Sequence, residues 1–98
     1  MTSKDSIFNT IQAHKVNLLA LGIDKIGLFG SYVRNEQSPV SDIDILVDFL
    51  PEKETFDNYM AICDYLENLF ADKKVEIVTM NGLSPYIGPK ILKEVNYV

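Results

Sequence analysis

The chain has 98 residues, 47% of them hydrophobic and 23% charged, with a formal net charge of −5. That length predicts a single domain over 1–98 with a real core and leaves no room for a second one to cradle an acceptor. The acidic balance, with no basic cluster beyond Lys73-Lys74 and the scattered Lys90 and Lys93, argues against direct nucleic-acid binding, and no apolar run approaches the length of a membrane span.

Residues 3 to 21 read as one amphipathic helix, with Ile7, Ile11, Leu18 and Leu19 near a 3.6-residue period and Phe8 beside them. Ser3 or Ser6 is placed to cap its start, and Gly22 stands where a helix end favours a left-handed residue. His14, mid-helix, reads as a surface residue. The polar start, Met1 to Asp5, lacks the apolar core of a signal peptide, so a cytoplasmic protein is expected.

Ile26 to Phe29 reads as a short strand running into Gly30-Ser31, and Tyr32 to Asn35 as the start of a short helix. Glu36 to Ser41, polar and carrying Pro39, is a loop. Asp42 to Phe49 is a second strand, bounded by Pro51. Residues 55 to 70 form the second long helix, with Phe56, Tyr59, Met60, Cys63, Leu66, Leu69 and Phe70 along one face. Cys63, the single cysteine, excludes an intramolecular disulfide and reads as a small hydrophobe in this helix. Val75 to Val78 is a third strand, and Pro85 and Pro89 lead into a last helix over 89–95. The order predicts an α/β or α+β domain, a small sheet flanked by helices.

Within this order lies a chemical pattern. On a strand, residues two apart face the same way. Asp42 and Asp44 therefore aim together, while Ile43, Ile45, Val47 and Phe49 point into the core. Two neighbouring carboxylates repel unless a cation lies between them, and magnesium takes oxygen ligands of this kind. Calcium is disfavoured, because the glycine and terminal glutamate of an EF-hand loop are missing. Glu76, flanked by the apolar Val75 and Ile77, faces away from the core and joins the aspartates if the third strand lies beside the second. Gly30 permits close backbone approach to a phosphate, and the Ser31 hydroxyl can add a hydrogen bond. Arg34 is placed to pair with a phosphate or to brace an acidic side chain.

Singly these features are weak. Gly-Ser after a strand is an ordinary turn, Asp-x-Asp is commonly a solvated edge, and Arg34 or Glu76 alone would be a surface charge. Together, Ile26-Gly27-Leu28-Phe29-Gly30-Ser31-Tyr32-Val33-Arg34 and, after ten residues from Ser31, Asp42-Ile43-Asp44-Ile45-Leu46-Val47-Asp48-Phe49 resemble the signature of the polymerase-beta-like nucleotidyltransferase superfamily. More narrowly the chain resembles its minimal nucleotidyltransferase group, from about residue 5 to the end. The resemblance implies a small mixed sheet flanked by helices, with Asp42, Asp44 and Glu76 as catalytic and magnesium-binding carboxylates. It implies Gly30 and Ser31 as phosphate binders and ATP as substrate. One departure stands out: the third carboxylate is commonly aspartate in that family, and here it is Glu76. Members of the group commonly pair with a HEPN-type RNase toxin and act as its antitoxin, by transferring AMP to a toxin tyrosine. Two other functions stay open at this point: an antitoxin that neutralises by binding alone, and a small-molecule nucleotidyltransferase.

Overall fold

The computed structural model describes residues 3–98. Helix α1 spans Lys4–Ala13 and α2 Lys15–Ala20. Ser3 caps α1 by accepting from the Ser6 amide, and the Ser6 hydroxyl accepts in turn from the Ser3 amide, a reciprocal capping box. The single helix expected over residues 3–21 is therefore two. The break falls at His14, whose Nδ1 lies 2.7 Å from the Tyr65 hydroxyl, so this histidine bridges elements instead of standing free at the surface. Gly22 ends the pair with φ +100°.

Strand β1 (Ile23–Phe29) starts three residues earlier than the sequence pattern suggests, because a bulge between Ile23 and Lys25 breaks its alternation. Strand β2 runs Ile43–Phe49, α3 Phe56–Leu69, β3 Val75–Thr79 and α4 Gly88–Glu94. A short β4, Asn96–Tyr97, was not foreseen; two residues carry too little pattern to distinguish a strand from a tail.

The sheet is mixed, in the order β3-β2-β1-β4. β2 pairs antiparallel with β1 and parallel with β3, the α3 crossover joining the parallel pair. One face of β1 and β2 supplies Ile26, Leu28, Ile43, Ile45, Val47 and Phe49 to the core, against Ile7 and Ile11 of α1, Leu18 of α2, and Ile62 and Leu66 of α3. The alternation expected for β2 holds on this side. Leu46, on the opposite face, is also fully buried.

The apolar faces of the helices shift from expectation. Leu19, Phe56 and Met60 are exposed, at 41%, 76% and 41%, and the buried line of α3 passes through Ile62 and Leu66. Apolar residues surround much of the first half of α3, so periodicity alone does not select a side; the position of the sheet does. Cys63 is half-buried, and burial raises its thiol above the ordinary value, which favours the protonated form. No helix among the described residues is long and apolar enough to cross a membrane.

Candidate functional site

The site grows from one rung of the sheet. Phe29, the last residue of β1, pairs with Asp44 of β2, and Asp44 pairs with Glu76 of β3. Neighbouring strands stand about 4.8 Å apart, so the Asp44 and Glu76 side chains leave the same face of the sheet side by side. Two of the three expected carboxylates, Asp44 and Glu76, are thus register partners, while Asp42 lies just before β2.

Gly30 follows Phe29 with φ +82°, a conformation that side chains disfavour. Its bare α-carbon also makes room for Asp44: a β-carbon there would collide with the Asp44 carboxylate, 2.9 Å from its Cγ. The chain then closes a tight turn, with the amides of Val33 and Arg34 both donating to the Gly30 carbonyl at 3.1 Å. Tyr32 is buried and plugs this turn into the core. The short helix expected over Tyr32 to Asn35 does not form. Asn35 adopts φ +59°, which ends the turn before a second helical repeat.

A cleft of about 310 Å³ opens over the rung. Gly30, Arg34, Asp44 and Glu76 line it, together with Ile87, Lys90, Ile91 and Glu94 from α4 and its approach. Of the six residues singled out in the sequence, four are thus at the cleft. Ser31 and Asp42 border the same segments without lining it, Asp42 lying just before β2 begins. A larger cleft of about 410 Å³, beside Phe49, Phe56, Tyr59 and Val78, lies at the far end of the same strands. It gathers no comparable set of carboxylates, so volume is a poor guide to chemistry here.

The electrostatics are those of a site short of positive charge. The Asp44 carboxyl is raised from 3.8 to about 6, first by burial, then by the charges of Glu76 and Asp42; Arg34 opposes the rise. Glu76 lies 3.9 Å from Lys74, and both are well exposed. Such a contact contributes little. Arg34 does not pair with Asp42, Asp44 or Glu76. Its guanidinium binds Glu36 at 2.9 Å and Glu94 at 2.8 Å. Glu94 was missed in the sequence, where nothing distinguishes it from a solvated helix charge.

Among the described residues, no group of three His, Cys, Asp or Glu is gathered closely enough to hold a metal ion unaided. Magnesium in nucleotide sites rarely needs such a cage. It binds through one or two carboxylates and completes its shell with water and phosphate oxygens. Asp44, whose charge is unfavourable without a counter-ion, and its register partner Glu76 meet that requirement of one or two carboxylates.

A family model described as Polymerase beta, Nucleotidyltransferase matches residues 9–98. The chain belongs to this nucleotidyltransferase family. It is 38% identical over 99 residues to the protein adenylyltransferase MntA of Thermococcus cleftensis, covering 100% of this chain and 98% of that one. It also superimposes on a solved structure provisionally described as a minimal nucleotidyltransferase, with a TM-score of 0.81 and 26% identity, over 97% of this chain and 95% of that one. A solved toxin–antitoxin complex with AMP-PNP shares the fold at a TM-score of 0.66 and 22% identity, over 88% of this chain and 70% of that one. The small mixed sheet and flanking helices expected from the sequence are the fold of this family.

Proposed function

We propose that this chain is a magnesium-dependent protein adenylyltransferase that transfers AMP from ATP to a tyrosine of a partner HEPN-type RNase toxin, and so acts as its antitoxin in the cytoplasm. The observation that carries this reading is the Asp44–Glu76 rung set against Gly30, in a family of nucleotidyltransferases. The name of the MntA relative supports a protein acceptor.

In this reading the Gly30-Ser31 segment receives the triphosphate, with the backbone at Gly30 close to the phosphates and the Ser31 hydroxyl donating to them. Asp42 and Asp44, with Glu76, would hold magnesium, which supplies charge neutralisation to the phosphates. The acceptor tyrosine oxygen bonds to the α-phosphorus as the bond from that phosphorus to the bridging oxygen breaks, and pyrophosphate leaves. Glu76, exposed at the cleft, takes the phenolic proton. Arg34 stands at the same cleft as the guanidinium available to the phosphates.

The test is direct. Purified chain, ATP, magnesium and the HEPN-type partner are mixed, and the partner is weighed by mass spectrometry. An AMP-sized increase on a tyrosine is expected; no increase, with the two proteins still bound to each other, overturns the reading.

One observation favours a second reading, neutralisation by binding alone: among the described residues, no three acidic groups close on a metal unaided. Asp44→Asn separates the two. Under the enzymatic reading this variant stops protecting cells from the toxin while still folding; under the binding-only reading it protects as well as the parent.

A further inference from the structure

Arg34 is held from two sides. Its Nη1 donates to both carboxylate oxygens of Glu94, at 3.0 and 2.8 Å, and its Nε donates to Glu36 Oε1 at 2.9 Å. The Nη2 amino group has no protein acceptor among the described residues, and the side chain lines the cleft that Asp44 and Glu76 share. Glu94 is the better buried partner, with its side chain 17% exposed against 64% for Glu36.

The placement of Glu94 is unfavourable on two counts. It ends α4, where the helix dipole disfavours an acid, and its charge adds to those acting on Asp44. Arg34 compensates for both. A free arginine would lose considerable rotamer freedom on gripping a phosphate, and a guanidinium already fixed by its neighbours loses less.

We propose that Glu94 is a positioning residue: it fixes Arg34 on the rim of the cleft so that the unpaired Nη2 edge is presented to the phosphate chain of a bound nucleoside triphosphate. This rests on the nucleotidyltransferase reading above. Glu94 acts through Arg34, not by holding a cation, and Glu36 contributes the lesser, more exposed support.

The test is calorimetric binding of a non-hydrolysable ATP analogue with magnesium to the parent, Glu94→Gln, Arg34→Ala and the double variant. Glu94→Gln keeps the size but loses the charge and one acceptor for Nη1, and is expected to weaken binding about tenfold. In the Arg34→Ala background the same exchange should change affinity less than about twofold, because the residue it positions is gone. Arg34→Lys, which keeps the charge without the fork, should weaken binding like Glu94→Gln and serves if that variant folds poorly. Tighter binding by Glu94→Gln, as expected if Glu94 instead blocks Arg34, overturns the assignment. So does unchanged binding, or an undiminished loss in the Arg34→Ala background. No nucleotide binding by the parent overturns the nucleotide reading itself, and this assignment with it.

Discussion

Gly30 and Asp44 occupy one space: the carboxylate of Asp44 lies where a side chain at position 30 would begin. The glycine therefore makes room for the acidic site. Gly30→Ala meets both the positive φ and the collision, and should destabilise the fold by roughly 1–2 kcal/mol while displacing Asp44. AMP transfer should fall at least about a hundredfold, since misplacing a catalytic group by an ångström has that effect. Urea unfolding and partner labelling check the two parts separately.

Asp44 gives the metal-free protein an inverted response to pH. Its folded value, about 6, lies above its ordinary 3.8, so the folded chain binds this proton more tightly than the unfolded chain. The resulting stabilisation is complete below about pH 4 and is lost as pH rises through about 6. Asp44→Asn should flatten that window and, allowing for solvent screening of a half-exposed group, stabilise the metal-free protein at pH 7 by about 1 kcal/mol. Denaturant titrations across this range check it. Magnesium should raise the melting temperature of the parent and leave Asp44→Asn nearly unmoved.

Glu76 is one methylene longer than the aspartate that the sequence resemblance leads one to expect at this position. Its backbone register with Asp44 is set by the parallel pairing, so a shorter acid would still emerge on the same face. Glu76→Asp is expected to keep AMP transfer within about tenfold of the parent, while Glu76→Gln, which can neither take the proton nor offset a cation, should lose about a hundredfold or more. Transfer rates at saturating ATP make the comparison; equal rates for Gln and Glu would remove this residue from the mechanism.

Leu66 tests the frame beneath the site. It is fully buried on α3, packed with the β2 face that carries Ile43 and Ile45. Leu66→Ala should reduce stability by about 3 kcal/mol through lost burial and a residual cavity. Nucleotide affinity, measured well below the melting temperature, should change little, because Asp44 and Glu76 face the opposite side of the sheet.

Local chemistry made much of this protein legible from its residues alone. The alternation from Ile43 to Phe49 specifies a strand with Asp44 turned outward, whatever lies around it, because the period of a strand is built into its backbone. Gly30, Ser31 and the spacing to Asp42 and Asp44 likewise pointed to the family through residues close in the chain. What lay beyond reach were matters of relative placement. That Glu76 is the register partner of Asp44 depends on the parallel docking of β3, a pairing across thirty-odd residues that no local period encodes. The face α3 buries, with Ile62 inward and Phe56 outward, was decided by where the sheet stands, since apolar residues offered several sides. Glu94 became part of the site only because α4 folds back beside the turn after β1, bringing two charges sixty residues apart within hydrogen-bond reach. Short-range periodicity follows from the geometry of one chain segment, whereas such contacts exist only once the core has closed and fixed the segments against one another.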